Sequence, residues 1–404
     1  MGIKFLKIIF FTAIIIIVML LNLFAFYRFS INSPGGNDSI PSWIGVKAWV
    51  FENINPYSTE VTIRGGKMVY GPVDYLRKDK EIFAYPFYTL FLYIPFIWMN
   101  FEWARAINML LLEFSILLMI ILSIKIMKWN PPRWLYISTI FFGLFLYYSV
   151  RTIILWQVAG YVALFITLAL WGIKEHKDVF AGVCLAMASV KPQMVFFIIP
   201  IMFIEGLLFK RFKLSLSIFI TLIILFALSS IFLPTWIIDM INQMKNYTEY
   251  IHIGSPINII THIMFPFLGN ITELILIVLL IIWLIYEWIQ VKSLENGHFT
   301  WTYLLTLVIT NLIIISVATT NYLMMFPTMI FIFKCISNSQ IIKPNLWVFL
   351  IQMIFLVGTW GLFLITVQGN LENWQMYLPF PIFVLLGLMI FRSRENLTSK
   401  NRTQ

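Results

Sequence analysis

What most constrains this chain is the recurrence, from one end to the other, of apolar runs long enough to cross a lipid bilayer, separated by short stretches that hold most of its charge. A spanning helix needs roughly 20 apolar residues, and a chain of 404 residues with such runs accommodates about a dozen once loops are allowed for. With 60% of its residues hydrophobic and 11% charged, against about 25% charged in a soluble domain, a soluble fold is excluded. The expectation is an all-α polytopic membrane protein with about twelve transmembrane helices. Cys184 and Cys335 both sit in apolar segments, so neither a disulfide framework nor a metal site is indicated. The formal charge of +10 reads as anchoring of cytoplasmic loops beside anionic lipid rather than as a nucleic-acid footprint.

The run Phe5 to Phe26 follows Lys4 and includes Lys7. It is too long for a signal peptide and lacks a small-residue cleavage site, so it reads as an uncleaved first span. Residues 27–102 form the first outer loop, where Trp43, Val46, Val50 and, offset, Trp49 predict an interfacial helix. Tyr85 to Met99, interrupted by Pro86 and Pro95, is short for a crossing and is expected to lie against or dip into the outer leaflet. The stretch from Val179 to Phe209 is interrupted by Ser189-Val190-Lys191-Pro192-Gln193. At about 1.5 Å per residue it extends about 47 Å, too long for one straight crossing of about 30 Å and short for two. Cations flank both ends, Lys174 and Lys177 before it and Lys210, Arg211 and Lys213 after it. They share one side only if the stretch is a hairpin tipped by Lys191 and Pro192. Further spans are expected at 103–127, 134–150, 157–173, 214–233, 271–291, 300–317, 321–336, 346–366 and 376–391. Of the 28 Lys and Arg, this topology puts 17 inside and 11 outside, with both termini cytoplasmic. Residues 1–392 are read as a single integral membrane domain and 393–404 as a cytoplasmic tail.

The outer ends of these spans collect Asp38, Arg105, Arg151, Gln157, Lys191 and Gln193, with Lys245, Tyr247, His252, His262, Asn321 and Tyr322 later in the chain. Cations at membrane depth are costly and mark functional candidates. One acid and several cations on one face suit the transfer of a sugar from a lipid phosphate: Arg and Lys neutralise the leaving phosphate, and a carboxylate takes the proton of the attacking hydroxyl. Plainer roles stand beside these. Asp38 follows Pro34-Gly35-Gly36-Asn37, where an acid commonly caps a helix, and Arg151 and Lys245 can snorkel to headgroups. The four histidines, at 176, 252, 262 and 298, lack metal-ligand spacing.

Four pieces of this pattern resemble the GT-C membrane glycosyltransferases, and within them glycosyltransferase family 87, which includes polyprenyl-phosphate-mannose-dependent mannosyltransferases. They are Asp38 with the downstream Asn55-Pro56-Tyr57; Phe83-Ala84-Tyr85-Pro86; Leu155-Trp156-Gln157-Val158-Ala159, similar to the family's Gly-Gln-x-Asn; and Lys191-Pro192-Gln193, which is the most specific. Trp156 and Ala159 depart from the family's Gly and Asn. Ala318-Thr319-Thr320-Asn321-Tyr322 stands where many members carry a His.

The resemblance implies a GT-C-like fold with its active site on the extracytoplasmic face of the cell membrane. It also implies an inverting, metal-independent transfer from a polyprenyl-phosphate sugar to a glycan or glycolipid hydroxyl, with no cofactor. Asp38 would be the catalytic base, with Lys191 and Arg151 binding the donor phosphate. Gln157 and Gln193 would hold sugar or phosphate oxygens, with Asn321 and Tyr322 as further sugar contacts. The rival readings are a lipid or sugar transporter or flippase, a lipid-linked glycan ligase of another fold, and a non-catalytic scaffold.

Overall fold

A computed structural model describes residues 2–33, 35–74, 82–248, 254–314, 318–368 and 372–392. The expected tail 393–404, His252 and the side chain of Tyr247 lie outside the described residues. The described chain is helical, with no strand among those residues. Six of its helices are long and apolar enough to cross a membrane, or seven when the bent pair Arg133–Phe145 and Tyr147–Ile154, which meet at 46°, is taken as one span. The expectation of about twelve crossings also counted the shorter apolar helices Ala159–Lys174, Asp178–Val190 and Pro192–Leu208. Two compact units partition the chain.

The first unit comprises residues 1–83, 90–114 and 152–157. Its helix Gly2–Asn32 carries Asn22, whose amide donates to Glu113 on the helix Phe101–Ile126. A polar pair of this kind joins helices in lipid, where apolar surfaces alone give little preference for protein over acyl chain. The expected loop helix forms as Ile40–Glu52, with Pro41 in its first turn and Asn53 closing it at φ 55°. Trp43 and Val46 are buried as expected, but Val50 is exposed, and the inward face instead continues through Gly45 and Ala48. Gly45 lies against Pro56, so this face is fixed by the close approach of the next segment rather than by apolar side chains alone.

The second unit comprises residues 84–89, 115–151 and 158–404. At its centre the helix Gly297–Ile313 is buried from Phe299 to Ile313. The helices Gly269–Ile289 and Pro379–Phe391 pack on it, while Gly269–Ile289 leaves Ile271, Leu274, Val278, Ile282, Ile285 and Ile289 exposed. An apolar face of that length is incompatible with water and suits acyl chains.

The hairpin read from the sequence is present. Asp178–Met187 and Ile198–Leu208 both pack on Phe212–Phe232. Arg211 pairs with Asp178 and donates from Nη2 to the Ile173 carbonyl at 2.8 Å, which draws the two ends of the 178–208 stretch together. Small residues permit this packing: a Cβ on Gly182 would lie 2.7 Å from the Leu214 carbonyl oxygen, a backbone atom that has no room to yield.

Candidate active site

In the first unit, Asp38 sits in the turn before the helix Ile40–Glu52. Gly36, at φ 75°, donates its N–H to the Ile154 carbonyl at 3.1 Å. The guanidinium of Arg105, only 1% exposed, donates to the carbonyls of Ser33 at 2.9 Å and Ile154 at 3.2 Å. The glycines are needed here because a Cβ on Gly35, at φ 143°, would collide with that guanidinium. Arg105, grouped by the sequence with the phosphate-facing cations, therefore ties the main chain before Asp38, at Ser33, to the segment that leads into Gln157, at Ile154.

Asp38 is not the helix cap. That position is Ser39, whose hydroxyl contacts the Tyr93 phenol at 2.9 Å and donates to the Trp156 carbonyl. Burial, the larger effect, pushes the Tyr93 phenol up to about 12, so it stays protonated. Trp156 adopts φ 53° and packs its ring against Tyr93, Phe96 and Phe101. The turn at Trp156 presents Gln157, whose Nε2 donates to Asp38 Oδ2 at 2.6 Å. Two residues singled out separately in the sequence thus meet. The amide fixes one carboxylate oxygen, and Asp38 itself is half-buried.

In the second unit, Lys191 occupies the hairpin tip at φ −128° and ψ 82°, between the helical turns Ala188–Val190 and Pro192–Val195. Proline forces this break, since its ring disfavours the helical region for the residue before it. Breaking a helix in an apolar surrounding strands its carbonyls. Here the Tyr88 hydroxyl donates to the Ser189 carbonyl at 3.2 Å and the Thr89 hydroxyl to the Val190 carbonyl at 3.0 Å. Lys191 is 1% exposed, and Gln193 is half-buried two residues on.

Arg151 belongs to a different constellation in the same unit. Its Nε lies 3.1 Å from Glu372 Oε1. That carboxylate, with its side chain 5% exposed, also accepts from the hydroxyls of Tyr147 and Thr319, each at 2.6 Å, and of Tyr377 at 3.3 Å. Tyr322 lies one layer away: its hydroxyl donates to the Tyr377 carbonyl at 2.7 Å and its ring meets Tyr148 edge-on. Asn321 is buried, and its Oδ1 has no hydrogen-bond partner among the described residues.

Glu372 escaped the sequence reading. The signal for it was there: it is the lone acid between Glu295 and Glu395, in a short loop beside Trp374 and Tyr377. His262 pairs with Glu273 at 2.7 Å, and Lys245 is exposed on the helix Trp236–Thr248.

The sequence profile of glycosyltransferase family 87 matches residues 83–314, and the chain belongs to that family. It is accordingly a membrane glycosyltransferase. The matched span contains Arg151, Gln157, Lys191 and Gln193, whereas Asp38, Asn321, Tyr322 and Glu372 lie outside it. No curated protein and no solved structure matches the chain.

Proposed function

We propose that this protein moves a hexose, mannose in the first instance, from a polyprenyl-phosphate donor to a hydroxyl of an extracytoplasmic glycan or glycolipid. The supporting observation is the Asp38 carboxylate, fixed through one oxygen by Gln157 at 2.6 Å on a main chain clamped by Arg105. In the proposed reaction the acceptor hydroxyl attacks the anomeric carbon from the face opposite the phosphate. The bond from that carbon to the phosphate oxygen breaks, the anomeric configuration inverts, and polyprenyl phosphate leaves with the bonding electrons. Asp38 takes the hydroxyl proton as general base. Lys191 is assigned to the donor phosphate, because a buried ammonium balances the charge that develops on the leaving oxygen. Side-chain cations would supply that charge without a divalent ion. Gln157 and Gln193 hold sugar or phosphate oxygens. Arg151 joins the phosphate side with its orientation set by Glu372. Asn321, whose Oδ1 lacks a partner, is suited to a sugar hydroxyl, and Tyr322 packs behind it. The fold we assign is GT-C-like, with about twelve crossings and both termini cytoplasmic.

The test is turnover by the purified protein with a panel of labelled polyprenyl-phosphate sugars, followed as release of polyprenyl phosphate and label transfer. Turnover with the mannosyl donor supports the reading. Tight binding of every donor without release or transfer counts against it, and access to Lys191 from both sides of the membrane favours transport instead.

A further inference from the structure

At the base of the hairpin, at the end away from Lys191, three helix-connecting turns of the second unit converge around a cavity of about 530 Å³. The turn after Ala159–Lys174 brings His176, the turn after Ile198–Leu208 brings Lys210 and Arg211, and the turn after Gly269–Ile289 brings Lys292. His176 and Lys210 both take left-handed backbone conformations, φ 56° and 58°, as chains do on leaving a helix in a tight turn. Lys213, in the first turn of Phe212–Phe232, adds a further cation beside the positive end of that helix.

Of the two acids that line the cavity, one is engaged by a cation. Asp178 pairs with Arg211, and Glu295 lies 3.5 Å from His176 Nε2. Among the described residues no carboxylate pairs with Lys210, Lys213 or Lys292. Arg211 commits Nε and Nη2 to Asp178 and the Ile173 carbonyl, but its buried Nη1 has no hydrogen-bond partner. An anion would complete the cluster. The surroundings indicate which kind, because the same turns expose Leu208, Phe212 and Val179, which are 68%, 59% and 55% exposed. Cations beside outward apolar side chains mark the boundary between headgroups and hydrocarbon.

We infer that this cavity binds the headgroup phosphate of an anionic membrane phospholipid. The site is independent of the sugar-transfer chemistry assigned above. The experiment uses the full-length protein in nanodiscs of phosphatidylcholine doped with phosphatidylglycerol, exchanged into detergent, with retained lipid counted by native mass spectrometry. Wild-type protein should keep a phosphatidylglycerol through the exchange. Each lysine near an anionic headgroup changes affinity by about fivefold, so Lys210→Gln, Lys213→Gln and Lys292→Gln combined should weaken retention on the order of 100-fold. Lys292→Gln alone should weaken it about fivefold, which keeps the test usable if the triple variant folds poorly. A control carrying Lys128→Gln, Arg133→Gln and Lys343→Gln removes the same charge from other turns and should stay within about twofold of wild type. Equal losses in both triple variants would overturn the inference, as would displacement of the lipid by millimolar inorganic phosphate.

Discussion

Two loop carboxylates, Asp38 in the first unit and Glu372 in the second, look alike in sequence and differ in what surrounds them. A carboxylate has roughly four acceptor positions. Glu372 is engaged on both oxygens, by Arg151, Tyr147 and Thr319 on Oε1 and by Tyr377 on Oε2, and its side chain is 5% exposed. Asp38 is half-buried and accepts from Gln157 on one oxygen. A buried carboxylate that ties several donors together through both oxygens works as a fastener. One held through a single oxygen keeps the other side for chemistry. Under the proposed function, the reacting acid is the one that is both less buried and less hydrogen-bonded, held on a fixed backbone.

Asp38→Asn should break the comparison on the catalytic side, lowering transfer about 10²- to 10⁴-fold with thermal unfolding in detergent unchanged. Glu372→Ala should do the converse. It removes the carboxylate that pairs with Arg151, and loss of one partner from a buried ion pair costs about 3 kcal/mol or more, visible as a lowered unfolding temperature with a smaller loss of turnover. If Glu372→Ala abolishes transfer at full stability while Asp38→Asn is merely unstable, the two roles must be exchanged. Gln157→Ala frees the fixed oxygen of Asp38 and removes a hydrogen bond worth about 1 kcal/mol. Transfer should fall about fivefold, a drop that corresponds to that energy, and Gln157→Glu should fall further by placing a second carboxylate there.

The smallest expected effect lies outside the membrane. Arg64 hydrogen-bonds Glu52 and so lowers its carboxyl below the usual 4.5. The folded-state value is depressed, so the pair's contribution is fully present above about 4.5 and fades as pH falls below it. Limited proteolysis between Glu52 and Glu60 should accelerate only below that pH, and Arg64→Gln should remove the dependence.

The features legible in the sequence were those set by local rules. Pro192 forces Lys191 out of the helix wherever the surrounding helices go, and the flanking cations required the two arms to fold back. The Ile40–Glu52 helix announced itself through Pro41 and its aromatic spacing, though Val50 points outward because Gly45 against Pro56 sets the inner face. Pairings across the chain were not legible. Asp38 and Gln157 are 119 positions apart, and their meeting depends on Gly35, Gly36 and Arg105 closing the turn, which no periodicity encodes. Arg151 read as a snorkelling or phosphate-binding cation because its partner, Glu372, lies 221 positions later, in a loop with no motif around it. The long spans were found from length alone, whereas the short helices at 159–174, 178–190 and 192–208 are too brief for length to decide how they sit in a bilayer.

The broken hairpin also bears on how the protein is made. The carbonyls of Ser189 and Val190, freed by the break, accept from the hydroxyls of Tyr88 and Thr89, which precede them by 101 positions. A ribosome building this chain at about 5–20 residues per second therefore delivers the donors several seconds before the acceptors. The helix break is thus made after the pair of hydroxyl groups that satisfies its carbonyls.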